Sequence, residues 1–174
     1  MTLASARIVE LPILMTSTAP LAGLAELYER HYETVFRAAL RVTGNAADAE
    51  DVLQTVFVRV LARSRGVNDV AMPEAYFRRA AVNAAVDVLR RRELRAESAP
   101  DDQALHAVQP PLLLKEQLRR AIASLDAEDA SLFLLRHVEG LSIEELAEMY
   151  EMQKKSMTVK LHRIRQRLKA EMER

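Results

Sequence analysis

Apolar residues recur at three- and four-residue steps along most of this 174-residue chain, which is the spacing of amphipathic helices. The first such stretch, residues 21 to about 42, has apolar positions at Leu24, Leu27, Tyr28, Val35, Ala39 and Val42. A second, from about 46 to 63, has them at Ala49, Val52, Leu53, Val56, Phe57, Val60 and Leu61. A third helix is predicted from about 74 to 95, with a core side formed by Phe77, Ala80, Ala81, Ala84 and Val88. Glycine is rare and no β-branched run alternates in polarity, so the predicted fold class is all-α.

Two small helical domains are predicted. The three helices are expected to form one compact bundle over residues 21–95, and a second helical unit is expected over residues 112–174. Residues 96–111, between them, contain three prolines and two adjacent aspartates without sustained periodicity, so we predict a flexible linker. Residues 1–20 mix polar and apolar positions and are predicted to be a poorly ordered extension.

The second unit has clear signals for the ends of helices. Asp126 is the predicted N-cap of one helix, which ends before Gly140. Ser142 and Glu145 form a Ser-x-x-Glu capping box for the short helix that follows, as far as about Tyr150. A tight connection and a long basic helix come next. This order of elements is the outline of a helix-turn-helix.

The last helix, predicted from about 153 to 172, is strongly basic. Residues 152–169 contain seven basic side chains and no acid. Side chains of the types that reach base edges and phosphates from the major groove lie along its first half. These candidates are Gln153, Lys154, Lys155, Ser156, Thr158, Lys160 and Arg163. The alternative is a solvated, charged terminal helix, but the short capped helix before it favours DNA binding.

A second candidate DNA surface lies on the predicted third helix. Tyr76, Arg79, Asn83, Asp87 and Arg90 recur at three- and four-residue steps and therefore share one face. An aromatic ring can stack on bases, an amide can bond to base edges and a guanidinium can bind phosphate, so this face suits a single strand. Taken alone, the pattern favours an ordinary surface helix with an arginine-rich end.

The overall charge argues at first against a nucleic-acid binder, because 25 basic residues balance 25 acidic ones. The balance is a cancellation between segments: the net charge is −7 over residues 126–151, +7 over 152–169 and +4 over 76–95. Salt screens charges beyond about 8–10 Å, so DNA on the last helix would respond mainly to the local charge. The acidic segments would limit non-specific DNA binding by the free chain.

Composition disfavours several other classes of protein. The chain has no cysteine, which excludes disulfides, thiol catalysis and cysteine metal sites. Its four histidines are dispersed and it has no glycine-rich phosphate loop, so we expect no enzyme, metal or cofactor site. The longest uncharged stretch has 15 residues and two prolines, which is too short to span a membrane. Without a recognisable signal peptide, a cytoplasmic location is expected.

Four motifs stand out in the two units. In chain order they are DAEDVLQ (48–54), YFRRAAVN (76–83), LFLLRHVEGLS (132–142) and LHRIR (161–165). Together they resemble the extracytoplasmic-function (group IV) sigma factors of bacterial RNA polymerase, within the sigma-70 family. The first two are similar to the core-binding and −10 recognition helices of sigma region 2. The last two are similar to sigma region 4, whose helix-turn-helix reads the −35 element.

The resemblance implies a transcription initiation factor that binds the β′ clamp helices and β flap of core polymerase and directs it to promoter DNA. It implies core binding by Asp48, Glu50, Asp51 and Gln54. Binding and melting of the −10 element are implied for the loop 64–73 and for Tyr76, Arg79, Asn83, Asp87, Arg90 and Arg91. Residues 153–163 would read the −35 element, and residues 97–114 would pass through the polymerase channel. The polymerase holds the active site, so no catalytic residue is implied. An anti-sigma factor or a Ser/Thr kinase is a further partner that the family suggests.

Among the residues that depart from the family pattern, two bear on function or backbone strain. Thr55 stands where an acid is usual, one turn after Asp51, so phosphorylation of Thr55 would restore a charge of roughly −1.5 to −2. A tolerated polar substitution is the alternative. Glu151 stands where the helix-turn-helix turn usually has glycine, and strain of about 1 kcal/mol is expected if that position needs a positive φ.

Two other functions stay open at this point. One is a different helix-turn-helix transcriptional regulator, because sigma region 4 resembles the DNA-binding end of many response regulators. The other is a degenerate sigma paralogue that acts as a protein-binding adaptor, for which Thr55 and Glu151 are the only indications. The acidic helix at residues 48–54 and the face that bears Asn83 favour the sigma factor over both.

Overall fold

The structure, a computed structural model, describes residues 19–63, 74–98 and 110–173, and over these ranges the predicted all-α fold is confirmed, with seven helices and no strand. In chain order the helices are α1 (Ala19–Thr43), α2 (Ala46–Arg63), α3 (Glu74–Ser98), α4 (Pro110–Ser124), α5 (Ala127–His137), α6 (Ile143–Met149) and α7 (Lys154–Met172). None of the helices in the described ranges is long and apolar enough to cross a membrane. We call α1–α3 the first unit and α4–α7 the second unit.

Some helix ends differ from the predicted ones. Helices α1 and α4 begin at Ala19 and Pro110, slightly earlier than predicted, and α3 continues to Ser98. Both early starts include proline, which a first helical turn tolerates because the N–H groups there have no acceptor within the helix. Both ends of the predicted linker are therefore helical. Residues 1–18, the predicted loop 64–73 and residues 99–109 lie outside the described residues.

The core of the first unit comes mainly from the apolar stripes that the spacing predicts. Helix α1 packs against both α2 and α3, and Leu27, Val35, Val56 and Phe77 are at most 1% exposed. His31 is also buried here, and its ring stacks on that of Phe77 with the ring centres 4.1 Å apart. One polar ring is thus part of an otherwise apolar core.

Two residues that were assigned to these stripes lie on the surface. Tyr28 and Leu61 are 42% and 39% exposed, so the burial predicted for Leu61 is wrong. The Tyr28 ring covers Phe57 from outside, with ring centres 4.9 Å apart, and stacks on Tyr32. Both residues lie at the edge of a helical stripe, where a side chain contacts the core on one side and water on the other.

Gly44 and Asn45 separate α1 from α2. Gly44 has a φ of 66°, a left-handed conformation that glycine adopts without steric cost. The Asn45 side chain then caps α2, because its Oδ1 accepts hydrogen bonds from the backbone N–H groups of Ala47 and Asp48 at 2.8 and 3.2 Å.

The predicted caps of the second unit are confirmed too. Asp126 accepts a hydrogen bond from the backbone N–H of Asp129 at 2.9 Å, at the start of α5. The Ser142 hydroxyl accepts from the Glu145 N–H at 3.1 Å, while the Glu145 carboxylate accepts from the Ser142 N–H at 2.7 Å. Glu151, in the turn before α7, has a φ of 52°, which is the strained conformation considered for it.

Helix α3 of the first unit also packs against the second unit. Besides its predicted core side it buries Val82, Val86 and Leu89, which lie roughly 120–180° around the helix from Phe77. It packs on α4 and α5 as well as on α1 and α2. Buried residues of the two units consequently form one continuous hydrophobic core.

Candidate nucleic-acid interface

The start of α7 presents most of its candidate DNA-binding residues to solvent. Its opposite face anchors the helix through four buried residues, Met157, Leu161, Ile164 and Leu168. The exposed candidates are Gln153, Lys154, Lys155, Ser156, Thr158 and Arg163. Gln153 is the N-cap of α7, but its side chain makes no capping hydrogen bond, so the amide is not occupied in capping the start of the helix. The first turns of α7 therefore form a continuous polar and basic surface.

Lys160 differs from the other candidates, because acids of α5 hold it. Its ammonium group pairs with Glu128 and lies 3.7 Å from the Asp129 carboxylate. Burial alone would lower the pKa of Lys160, but the hydrogen bond to Glu128 and the negative charges of Glu128, Asp129 and Asp126 outweigh it and raise that pKa. Arg167 shares one of these acids, because its Nη1 lies 2.8 Å from the Asp129 carboxylate and 3.3 Å from that of Asp126. Part of the positive charge of α7 is thus neutralised within the second unit.

Lys154 also has an acidic partner, Glu144 of α6. The hydrogen bond from Lys154 lowers the pKa of the Glu144 carboxyl below its usual value. Both side chains are well exposed, and exposed ion pairs of this kind contribute little to stability. Lys154 can therefore exchange this carboxylate for a phosphate at small cost.

Three candidate residues of α3 meet around one cavity. Tyr76, Arg79 and Asn83 line it together with Val56 and Arg59 of α2, and it has a volume of about 330 Å³. A ring, an amide and guanidinium groups thus surround a space whose size is typical of small-molecule sites.

The remaining candidates lie further along α3. Asp87 pairs with Arg59 of α2, with an N–O distance of 3.5 Å. Arg91 donates a hydrogen bond from Nε to the backbone carbonyl of Asp87 at 3.2 Å. Arg90 and Arg91 are exposed near the end of the helix. These contacts leave the two arginine side chains accessible on the surface of the first unit.

Arg79 contacts the second unit, which the sequence did not predict. Its Nη1 donates a hydrogen bond to the backbone carbonyl of Met149 at 2.9 Å. Its guanidinium carbon lies 4.1 Å from the centre of the Tyr150 ring, in a cation–π arrangement. Burial raises the pKa of the Tyr150 phenol. A candidate DNA-binding residue is therefore engaged with protein in this structure.

The acidic face of α2 is accessible. Glu50, Asp51 and Gln54 are exposed, while Asp48 and Thr55 are half-buried. Asp48, Asp51 and Thr55 follow one another at three- and four-residue steps, so one side of α2 carries them. Two carboxylates and one threonine hydroxyl thus share a surface that a basic partner could contact.

Sequence reasoning missed the side chains that join the two units. Arg41 of α1 lies 3.3 Å from the carboxylate of Glu139, whose side chain is only 2% exposed. That carboxylate oxygen accepts no hydrogen bond from the described residues. Val82, Val86 and Leu89 could have been found, because their spacing gives α3 a second apolar stripe. Arg41 and Glu139 carry no such signal, since their contact joins distant parts of the chain.

Comparisons with known proteins match both units. Models of sigma-70 region 2 and sigma-70 region 4 match residues 27–95 and 115–168. The ECF RNA polymerase sigma factor SigE of Mycolicibacterium smegmatis is 32% identical over 153 residues, which cover 83% of this chain and 59% of that protein. The RNA polymerase sigma-E factor of Streptomyces avermitilis is 31% identical over 154 residues, which cover 85% of this chain and 84% of that protein. The chain thus spans less than two thirds of the first relative and most of the second.

One solved structure with a similar course of the chain is the sigma factor RpoE in complex with the anti-sigma factor NepR, from Bartonella quintana. It has a TM-score of 0.49 and 17% sequence identity, and the match covers 86% of this chain and 96% of that one.

Proposed function

The chain belongs to the RNA polymerase sigma factors of the extracytoplasmic-function type, and from this premise we propose how its residues share the work of promoter-specific transcription initiation. The first unit would bind core polymerase and the −10 element, and the second unit would read the −35 element. One observation carries this proposal: the candidate DNA surfaces of α3 and α7, residues 76–91 and 153–163, fall within the matches to region 2 and region 4.

Core polymerase would dock on α2. The accessible acids Glu50 and Asp51, with Asp48 and Gln54 beside them, would face the basic β′ clamp helices that the family resemblance implies. Complementary charges of this kind speed association and fix the register of two surfaces. The second unit would contact the β flap.

The −10 element would bind along α3. The cavity between α2 and α3 supports this role, because Tyr76, Arg79 and Asn83 line it together. An unstacked base there could stack on the tyrosine ring and bond to the asparagine amide. Extruding a base costs a few kcal/mol, which those contacts must offset. Arg90 and Arg91, with Asp87 between them and the cavity, would follow the sugar–phosphate backbone.

The −35 element would bind the exposed first half of α7. Gln153, Lys155 and Ser156 lie at its N-terminal end, which is the part of a recognition helix that reaches base edges in the major groove. Lys154, Thr158 and Arg163 would bind phosphates or bases beside them. Lys160 would contribute only after exchanging its acidic partners for DNA.

We also propose that the chain supplies no catalytic group and acts in the cytoplasm, where polymerase and promoter DNA meet. Bond formation would then take place entirely in the polymerase active site. Phosphorylation of Thr55 would add negative charge beside Asp51 and strengthen docking on basic clamp helices. A Ser/Thr kinase would be the partner that controls this step.

Charge reversal on α2 tests the docking surface. Asp51→Lys is expected to weaken binding to purified core polymerase by about tenfold, because it removes an attraction and adds a repulsion. Glu29→Lys changes the charge by the same amount at an exposed position of α1 outside the proposed surface, and should change affinity less than about twofold. Equal losses in the two variants, measured by surface plasmon resonance at fixed salt, would contradict docking through α2.

A further inference from the structure

The exposed face of α7 carries a large apolar side chain among its basic residues. Val159 is 49% exposed, whereas Met157, Leu161 and Ile164 are buried. Among residues 154–164, all of which the structure describes, it is the only exposed large apolar side chain. Single apolar side chains are common on protein surfaces, so exposure alone needs no explanation. The direction in which Val159 points and the residues around it distinguish it from such cases.

Val159 points directly away from the core of the second unit. The buried stripe of α7 consists of Met157, Leu161, Ile164 and Leu168. At about 100° per residue, Val159 lies about 190° around the helix from the middle of this stripe. It also belongs to the first two turns of α7, and the N-terminal part of a recognition helix is the part that contacts base edges. Val159 is therefore placed where a helix in the major groove comes closest to the bases.

Basic side chains surround Val159. Lys155 and Arg163 lie one turn before it and one turn after it on the same face, and both are exposed. The three residues line a groove of about 610 Å³, whose two apolar lining residues are Val159 and Met152. Asp129, the acid in this groove, is already paired within the second unit. A protein partner would bury the two cations at the centre of an interface, where charged residues are depleted. The surface therefore favours a partner with negative charge around a small apolar group.

Thymine in duplex DNA offers that combination. Its C5-methyl group lies at the edge of the base in the major groove, where the other three bases present only donors and acceptors, and phosphates border the groove on both sides. Contact between this methyl group and a valine removes apolar surface of both from water. Valine also loses little side-chain freedom on contact, because its branched Cβ leaves essentially one rotamer in a helix.

We propose that Val159 is a specificity-determining residue, which selects a thymine in the −35 element through contact with the C5-methyl group of that base. Lys155 and Arg163 supply affinity on either side, and Val159 supplies discrimination against bases that lack the methyl group. This inference rests on the proposed function, because it requires α7 to lie in the major groove of the −35 element. It deepens that function by naming one base that the element must contain.

Uracil provides the test, since it lacks only the methyl group of thymine and keeps the same base pairing. A library of random duplexes is first selected for binding to holoenzyme made from core polymerase and the full chain, which defines the −35 element. Each thymine of that element, on either strand, is then replaced singly by uracil, and holoenzyme affinity is measured by fluorescence anisotropy. One replacement is expected to weaken binding about fourfold, which is the effect of losing one buried methyl group.

The Val159→Ala variant links this effect to the protein. Alanine is the best helix former, so the variant should keep the helicity of the wild type by circular dichroism. It is expected to bind the thymine duplex about fourfold more weakly than the wild type and to bind the thymine and uracil duplexes equally. Lys155→Ala, one turn away on the same face, is the matched control. It should weaken binding to both duplexes by a similar factor and keep the preference for thymine.

Three results would overturn the inference. If every uracil replacement is silent, no methyl group is read. If the preference for thymine persists in Val159→Ala, another residue makes the contact. If Val159→Ala weakens binding to core polymerase itself, the valine belongs to a protein interface. Failure of the proposed function looks different, because holoenzyme would then select no shared sequence at −35 at all.

Discussion

The guanidinium carbon of Arg79 lies 4.1 Å from the centre of the Tyr150 ring, so the candidate −10 surface and the helix-turn-helix touch in the free protein. Arg79 belongs to α3 of the first unit, and Tyr150 ends α6 of the second. The contact therefore joins the two units at a candidate DNA-binding residue.

The stability of the first unit should fall at mildly acidic pH because of His31. Burial lowers the pKa of His31 below 6.5, and the positive charge of Arg30 adds to this, while Glu74 on α3 opposes it. The unfolded chain then binds more protons than the folded one, so stability is fully present above pH 6.5 and decreases as the pH falls through that value. Thermal unfolding at pH 7.5 and 5.5 measures the difference.

A His31→Phe variant provides the control for this pH effect. Phenylalanine can keep the stacking on Phe77 but cannot take up a proton, so the drop in melting temperature between the two pH values should shrink. Burial lowers the pKa of His137 too, so a smaller drop should persist in the His31→Phe protein. An unchanged drop in the His31→Phe protein would show that His31 does not cause the loss.

Glu151 should be replaceable by glycine with a gain in stability. Its φ of 52° costs a residue with a Cβ atom roughly 1–2 kcal/mol, and glycine avoids this cost while losing some chain entropy. We expect Glu151→Gly to raise the free energy of unfolding by up to about 1 kcal/mol in urea titrations. Glu151→Ala keeps the Cβ atom and should give no gain. A comparable gain from alanine would mean that the side-chain charge, not backbone strain, matters here.

Thr55 is the position where added charge should increase core binding. Thr55→Glu is expected to bind core polymerase several-fold more tightly than the wild type, because it adds a carboxylate one turn from Asp51. Thr55→Ala should match unphosphorylated wild type. Affinities of the three proteins, with wild type measured before and after kinase treatment, provide the comparison. If the wild type, Thr55→Glu and Thr55→Ala proteins bind core polymerase equally well, and kinase treatment does not change the affinity of the wild type, Thr55 is a tolerated polar substitution.

Two arginines of α7 should contribute differently to DNA affinity. Arg163 and Arg165 are both exposed, but their positions differ by about 200° around the helix, so they point to opposite sides. Arg163→Ala should weaken holoenzyme binding to promoter fragments. The slope of log K against log salt concentration should fall by about 1, which corresponds to the loss of one phosphate contact. Arg165→Ala should leave both nearly unchanged. Similar salt slopes for the two variants would contradict the assigned DNA face.

Much of the local structure could be predicted, because caps and stripes depend on neighbours in sequence. Asp126, Ser142 and Glu145 cap helices as their spacing indicates, whereas the positive φ of Glu151 was only one of the conformations that the sequence left open. Contacts between units could not be predicted in the same way. Arg41 meets Glu139 across 98 positions of the chain, and no periodic pattern encodes such a pair.

The candidate site could also be predicted only in its local features and not in its contacts between distant parts of the chain. Spacing identified Tyr76, Arg79 and Asn83 as one face of α3, and they do line one cavity. Chemistry alone could not show that Arg79 also binds Met149, since a backbone carbonyl has no signature in sequence. Nor could it show that acids of α5 hold Lys160, because that pairing depends on how α5 packs against α7.

The central claim is that this chain directs core polymerase to promoters. It is tested most directly by transcription initiation from genomic DNA with purified core polymerase, with and without the full chain. RNA 5′ ends would be mapped by sequencing, with the Asp51→Lys protein as a matched control. The account predicts new start sites that depend on the chain, share sequence motifs at −10 and −35, and weaken strongly with Asp51→Lys. An identical set of start sites with and without the chain would contradict its function as a sigma factor.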